Sequence, residues 1–170
     1  MKKLFLLDAY AIIFRAYYAF IKRPTINSKG LNTSAILGFC NTLKEIIDKE
    51  HPDYLGVAFD HGKTFRHEAF PDYKAQREAT PEDIKLSVPY IQQILSAMHI
   101  PILMADGYEA DDVIGTLATK AGAEGIDTFM LTPDKDYGQL IRPNVYMYRP
   151  RHGGGYDIIG EKEIEEKYGI

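Results

Sequence analysis

Residues 107–112 read Gly-Tyr-Glu-Ala-Asp-Asp, so three carboxylates fall within four positions. A short apolar segment, residues 100–104, precedes this stretch, and apolar residues at helical spacing follow it. Two carboxylates about 4 Å apart repel by about 4 kcal/mol at an effective dielectric constant of about 20. Acidic residues are also common at helix starts, because the helix dipole favours negative charge there. The stretch alone leaves two interpretations open, a simple helix start and a cation-binding site.

Strand-like and helix-like segments alternate along the chain. Such alternation produces right-handed crossovers and a mostly parallel sheet. We therefore predict one α/β domain over residues 1–170, with a mainly parallel five-stranded sheet covered by helices on both faces. The glycines at 153–155 mark a turn into residues 156–159, which fits a small hairpin. The predicted strands are 3–8, 54–60, 100–104, 126–131 and 145–148, and the predicted helices are 9–21, 34–49, 81–98, 109–122 and 161–168.

Acidic residues recur where the predicted strands end. In a parallel sheet all carboxyl ends lie at one edge, which is also where ligands bind. We therefore expect these acids to converge, although a few unbalanced repulsions would consume the ~5–15 kcal/mol stability of a domain. Divalent cations are needed to balance them. The converging set is Asp8, Asp60, Glu109, Asp111, Asp112, Asp134 and Asp136.

The expected ligands are all oxygen atoms, with no Cys or His among them. This composition favours a hard cation, Mg²⁺ with Mn²⁺ as a substitute, over zinc. Two such ions about 4 Å apart can support an in-line phosphoryl displacement. The set therefore predicts phosphodiester chemistry.

Residues 61–79 interleave basic and aromatic side chains, and we predict that they form an exposed helical excursion. A solvated amphipathic helix and a segment that binds single-stranded nucleic acid are equally good interpretations of this pattern. In the second, Lys74 and Arg77 bind the scissile phosphate, Tyr73 stacks a base and Arg66 holds the backbone.

Charge and cysteine content set the expected environment. The net charge of −4 argues against nucleic acid, but without the seven acids of the predicted site 17 acidic residues remain against 20 basic ones. No stretch is long and apolar enough for a membrane span, and Asp8 interrupts the only segment that resembles a signal peptide. The single Cys40 cannot form an internal disulfide. We expect a cytoplasmic protein without a membrane partner.

Six ordered motifs together resemble the 5′ nuclease domain at the amino end of bacterial DNA polymerase I, which belongs with the flap endonucleases. They are Asp8 after the first strand, 57–60 (Val-Ala-Phe-Asp), 65–68 (Phe-Arg-His-Glu), 73–77 (Tyr-Lys-Ala-Gln-Arg), 107–112, and 132–136 (Thr-Pro-Asp-Lys-Asp). The resemblance implies a PIN-like fold and metal-dependent removal of 5′ flaps and RNA primers in replication and repair. It makes residues 61–79 the helical arch through which the 5′ strand passes.

By matching position, the resemblance assigns metal coordination, direct or through water, to the seven acids. It implies two ions in the complete domain, DNA with a 5′ flap, nick or RNA primer as substrate, polymerase domains on the same chain, and a monomer. The family continues with further acids and a helix-hairpin element beyond residue 170, so we expect this fragment to have weak or no nuclease activity. Implied substrate contacts are Arg15, Arg66, Tyr73, Lys74 and Arg77, of which Lys74 and Arg77 are also counted with the catalytic acids.

Two other classes of function remain as alternatives. A receiver-like domain would bind one Mg²⁺ at the acidic edge and accept a phosphoryl group on a single aspartate. It leaves the additional acidic positions and the basic-aromatic segment unexplained. A non-catalytic PIN-like scaffold would bind structured nucleic acid without cutting it.

Overall fold

The structure is a computed structural model, and it describes residues 1–60 and 80–169. Within these ranges the strands are β1 (Lys3–Asp8), β2 (Tyr54–Ala58), β3 (Ile102–Leu103), β4 (Asp127–Leu131), β5 (Val145–Pro150) and β6 (Tyr156–Ile159). The α-helices are α1 (Ala9–Ala19), α2 (Ser34–Glu50), α3 (Glu82–Ala97), α4 (Ala110–Ala123) and α5 (Glu161–Tyr168). A 3-10 helix, Lys135–Leu140, connects β4 to β5. None of these helices is long and apolar enough to cross a membrane.

The strands form one sheet in the order β3-β2-β1-β4-β5-β6. β1 lies at the centre and pairs in parallel with β2 on one side and β4 on the other, so that Leu6 is opposite both Gly56 and Met130. β2 and β3, and likewise β4 and β5, are also parallel. The predicted α/β class with a mainly parallel sheet is confirmed.

The sheet has six strands rather than the five predicted. β6 pairs antiparallel with β5 from Met147–Ile159 to Pro150–Tyr156, so the hairpin expected at this point extends the edge of the main sheet. All three glycines at 153–155 have positive φ, a conformation that glycine adopts without the cost of a side chain. The Arg151 amide closes the turn by donating to the Gly155 carbonyl at 2.9 Å.

Alternation along the strands divides the core into two layers. Phe5 and Leu7 of β1 face a core that includes residues of α1, α2 and α3. Leu6, between them, faces the second core, which includes Ala110 and Ile114 of α4. Because side chains alternate along a strand, Asp8 at the end of β1 falls on the same side as Leu6. The alternation of side chains along β1 thus determines that Asp8 lies on the side of the sheet that faces α4.

Candidate metal centre

The centre of the sheet is also its topological switch point. From β1 the chain proceeds outward through β2 to β3, and it returns through α4 to β4 on the other side of β1. In sheets of this kind, ligands bind at the carboxyl ends of the two strands where the order reverses. Asp8 ends β1, and Thr132 follows the end of β4. Chain connectivity therefore places the loop after β4 next to Asp8.

Asp8 is held by hydroxyl groups from that loop. The Tyr137 hydroxyl donates to Asp8 Oδ2 at 3.1 Å, and Thr132 Oγ1 lies 3.5 Å from the same oxygen. The other oxygen, Oδ1, accepts from the Ala11 amide at 3.5 Å, because Asp8 is also the N-cap of α1. Both oxygens of this carboxylate therefore have defined orientations.

The pKa of Asp8 is raised from an ordinary 3.8 to about 6, chiefly because burial disfavours the charged form. The charges of Asp60 and Asp111 raise this pKa further, whereas the hydrogen bonds from Tyr137 and the Ala11 amide lower it. Burial also raises the pKa of the Tyr137 hydroxyl, with the negative charge of Asp8 as the next cause. Tyr137 is therefore a neutral donor to Asp8 at physiological pH.

Asp60, two residues beyond β2, connects that strand to the start of α4. Its Oδ1 accepts from the Ala110 amide at 2.7 Å, and Ala110 is the first residue of α4. An amide at a helix N-terminus has no partner within its helix, so a carboxylate from another element stabilises it. This bond holds Asp60 beside the acids at the start of α4.

The stretch 107–112 is both a helix start and an acidic cluster. Glu109 is the N-cap of α4 and is 5% exposed, and its amide donates to Asp112 Oδ2 at 3.1 Å. Each of Glu109, Asp111 and Asp112 offers a carboxylate oxygen within 4.8 Å of those of the other two. The two interpretations left open by the sequence are therefore compatible, because the helix start is what gathers the carboxylates.

Asp134 and Asp136 belong to the loop that follows β4. The Asp134 side chain accepts from the Asp136 amide at 2.9 Å and so caps the 3-10 helix, while the Asp134 amide donates to Thr132 Oγ1 at 3.2 Å. Both aspartates are exposed. The loop is thus fixed at its start by Thr132 and presents its two carboxylates to solvent.

An open groove of about 1270 Å³ connects the start of α4 with this loop. The acids Asp111, Asp112, Asp134 and Asp136 line it, and so do the basic residues Lys120, Lys135, Arg149 and Lys167. A ligand in the groove can therefore approach four of the seven predicted acids. Asp8, Asp60 and Glu109 do not line it, although Asp8 is electrostatically coupled to Asp60 and Asp111.

All seven predicted acids lie at the carboxyl edge of the sheet or in the loops beyond it, but they are not equally close. In residues 1–60 and 80–169, the trio Glu109, Asp111 and Asp112 is the one group of three or more acidic, His or Cys side chains close enough to share an ion. Carboxylate oxygens are the donors that hard divalent cations prefer. The donor set therefore fits a divalent cation.

The predicted substrate contacts are less completely described. Arg15 is exposed on α1, and its Nη2 donates to the Arg151 carbonyl at 3.2 Å, next to the β5–β6 turn. The segment predicted to be the helical arch, residues 61–79, lies outside the described residues, and with it the predicted contacts Arg66, Tyr73, Lys74 and Arg77. The predicted roles of these residues and of the seven acids stay predictions.

Sequence reasoning missed two residues of this site, Thr132 and Tyr137. Thr132 is fully buried, and Tyr137 is 3% exposed. One signal was available for Tyr137: it directly follows two closely spaced aspartates, and a large ring in such a loop has to pack against the protein. Thr132 begins the motif 132–136 that contributes to the family resemblance, but nothing in that motif predicts its contact with Asp8.

Comparison with solved structures defines the class of fold. The protein resembles the D15 flap endonuclease of bacteriophage T5 in a pseudo-enzyme–product complex with DNA and metal ions. The TM-score is 0.69 at 18% identity, over 99% of this chain and 61% of the phage protein. At this identity the likeness shows the fold alone. It is the PIN-like fold of the 5′ nucleases.

The sequence then gives the family. Residues 3–169 match the family described as "5'-3' exonuclease, N-terminal resolvase-like domain", and the chain belongs to that family. DNA polymerase I of Chloroflexus aurantiacus is 40% identical over 163 residues, which is 96% of this chain and 17% of the polymerase. A 5'-3' exonuclease of Aquifex aeolicus is 39% identical over 171 residues, 100% of this chain and 57% of that protein. The chain therefore spans a small part of the polymerase and about half of the exonuclease.

Proposed function

We propose that this chain is the amino-terminal catalytic part of a divalent-metal-dependent, structure-specific 5′ nuclease that hydrolyses phosphodiesters of DNA or RNA primers. The observation that carries the proposal is the carboxylate trio of Glu109, Asp111 and Asp112 at the carboxyl edge of the sheet. The chain that carries this trio belongs to the family of the 5'-3' exonuclease N-terminal domains. The alternative of a receiver-like phosphoacceptor explains neither the trio nor the membership of this family. Polymerase domains on the same longer chain are part of the proposal, in accord with the polymerase relatives.

The acids are assigned to metal binding according to their positions. Glu109, Asp111 and Asp112 would hold a cation directly, since their oxygens lie within 4.8 Å of one another. Asp8, Asp60, Asp134 and Asp136 would complete coordination, directly or through water, for Mg²⁺ or Mn²⁺. When bound, such ions polarise a phosphoryl oxygen and lower the pKa of water. The protein's part is to hold the carboxylates in place, and the bonds from Tyr137 to Asp8 and from Ala110 to Asp60 do this.

The proposed substrate is DNA with a 5′ flap, nick or RNA primer. We also propose that the protein is cytoplasmic and that it acts as a monomer. A polyanion needs cations along its path, and the groove supplies Lys120, Lys135, Arg149 and Lys167 beside the acids. Additional contacts are proposed for Arg15 on α1 and for Arg66, Tyr73, Lys74 and Arg77 of the helical arch.

The test is single-turnover cleavage of a 5′-labelled flap substrate in Mn²⁺ and in EDTA. Because only weak activity is expected of this fragment, the reaction is run with enzyme in excess and followed over long times. We expect slow cleavage in Mn²⁺, none in EDTA, and a rate at least about 100-fold lower for Asp8→Asn, because the variant loses one ligand charge. The matched control is Glu50→Gln, which neutralises another partly buried carboxylate that also accepts from a tyrosine. Its rate should stay within about twofold of the unsubstituted chain. Cleavage that persists in EDTA, or an Asp8→Asn rate equal to the control, would refute the proposal.

A further inference from the structure

The loop that carries Asp134 and Asp136 also carries a buried hydroxyl that reaches Asp8. Tyr137 is 3% exposed, and its ring belongs to the core that contains Leu6, Ala110 and Met147. With the ring packed there, the hydroxyl is confined to the vicinity of Asp8 Oδ2, at 3.1 Å. The contact is therefore set by the packing of the core.

The two oxygens of Asp8 differ in what surrounds them. Oδ2 is next to two hydroxyl groups, those of Tyr137 at 3.1 Å and Thr132 at 3.5 Å. Among residues 1–60 and 80–169, Oδ1 has one donor, the Ala11 amide, at the long distance of 3.5 Å. The contacts of Thr132 with Oδ2 and of Ala11 with Oδ1 are equally long, so the Tyr137 hydroxyl makes the difference. An oxygen that accepts this closer bond as well has less free lone-pair density for a cation than one with a single long contact. The geometry thus distinguishes the two oxygens.

We propose that Tyr137 is a positioning residue of the metal centre: its hydroxyl fixes Asp8 Oδ2, so that Asp8 offers Oδ1 to the divalent cation. This inference rests on the proposed function, since it presupposes that Asp8 is a metal ligand. It also links the acids after β4 to the acid at the end of β1, because Tyr137 immediately follows Asp136 on the 3-10 helix.

Side chains that hydrogen-bond to a metal-binding residue orient it, and their loss typically weakens metal binding 10–100-fold. The substitution Tyr137→Phe removes the hydroxyl and leaves the ring to fill its place in the core. The chain offers a matched control in Tyr148, which is 5% exposed and whose hydroxyl donates to Glu50 Oε1 at 3.0 Å. Tyr148→Phe likewise removes one buried hydroxyl from one carboxylate, but at a carboxylate outside the acidic edge.

The experiment is a Mn²⁺ titration followed by the electron paramagnetic resonance signal of the free ion, for the unsubstituted chain and both variants. Circular dichroism at the same temperature verifies that all three are folded. We expect Tyr137→Phe to weaken Mn²⁺ binding about tenfold and Tyr148→Phe to change it by less than about twofold. In flap cleavage, the Mn²⁺ concentration that gives the half-maximal rate should rise by the same factor for Tyr137→Phe, and not for Tyr148→Phe.

Three results would overturn the inference. If Tyr137→Phe binds Mn²⁺ within about twofold of the unsubstituted chain, Tyr137 does not position a ligand, and the proposed function is unaffected. If both variants weaken binding equally, the effect is a general loss of packing. If the unsubstituted chain binds no Mn²⁺ at millimolar concentrations, the metal site itself is refuted, and the inference is refuted with it.

Discussion

Two buried tyrosines of this protein donate to carboxylates, one in a region where the charge is balanced and one in a region where acids accumulate. Tyr137 donates to Asp8 at the carboxyl edge of the sheet, and Tyr148 donates to Glu50 at the end of α2. Both rings are almost fully buried, and burial is the main cause that raises the pKa of each tyrosine hydroxyl. The local chemistry of the two pairs is therefore nearly the same.

The surroundings of the two carboxylates are different. Glu50 forms an ion pair with Lys3, whose Nζ lies 3.5 Å from Oε2 and 3.3 Å from the Glu50 carbonyl oxygen. Asp8 takes part in none of the ion pairs of the described residues, and the charges that raise its pKa are those of Asp60 and Asp111. One carboxylate is balanced within the protein, and the other adds to an accumulation of like charge.

This difference separates a structural pair from a functional one. Where a carboxylate serves the fold, a basic side chain is placed beside it, as Lys3 is beside Glu50. At the acidic edge, the fold tolerates repulsion that lowers its own stability, which is typical of sites that must bind a ligand. Hydrogen bonds from neutral groups hold the Asp8 carboxylate there without balancing its charge.

The largest expected effect is on the pH dependence of stability. The native pKa of Asp8, about 6, lies above its ordinary value of 3.8, so the folded protein holds this proton more tightly than the unfolded chain does. The raised pKa contributes at most about 3 kcal/mol to the free energy of unfolding. This contribution is fully present below about pH 4, and it is lost as the pH rises through about 6. Urea unfolding in EDTA from pH 4 to 7.5 measures it.

The Asp8 and Glu50 carboxylates can be substituted in the same way, so Glu50→Gln is the control for Asp8→Asn. Asp8→Asn should remove the decline and be more stable than the unsubstituted chain above about pH 6, because it has no proton to lose. Glu50→Gln should keep the decline, since Asp8 remains. If Asp8→Asn retains the full pH dependence, the decline does not arise at Asp8.

A smaller difference is expected between the two tyrosine variants. Tyr137→Phe removes a hydroxyl donor at 3.1 Å from a carboxylate next to other acids, whereas in Tyr148→Phe the Lys3 ammonium still balances Glu50. We expect losses of about 2 and about 1 kcal/mol in the free energy of unfolding, respectively, at neutral pH without metal. Chemical denaturation of the two variants measures this difference. Equal losses would mean that the surrounding charge does not distinguish the pairs.

Much of the fold and the position of the site follow from the sequence. Alternating strands and helices fix the parallel sheet, and acids at strand ends such as Asp8 and Asp60 must then lie at one edge. The edge strand β6 was foreseen as part of a hairpin, but its pairing with the main sheet was not. A segment of only four residues, 156–159 (Tyr-Asp-Ile-Ile), does not reveal which neighbour it joins.

The finer structure of the site could not be predicted, for a physical reason. The contact of Tyr137 with Asp8 joins residues 129 positions apart, and it depends on how the 3-10 helix packs against the second core. The sequence also does not distinguish the trio at the start of α4, which can share an ion, from the exposed Asp134 and Asp136. That distinction depends on side-chain placement rather than on residue type.

The central claim is that the carboxyl edge of the sheet binds divalent metal and that the region around Glu50 does not. Anomalous diffraction from a crystal soaked in Mn²⁺ tests it directly. The account predicts at least one anomalous peak at coordinating distance from carboxylate oxygens of Glu109, Asp111 or Asp112, and none beside Glu50. Absence of a peak at all seven acids, or a peak of equal height at Glu50, would contradict it.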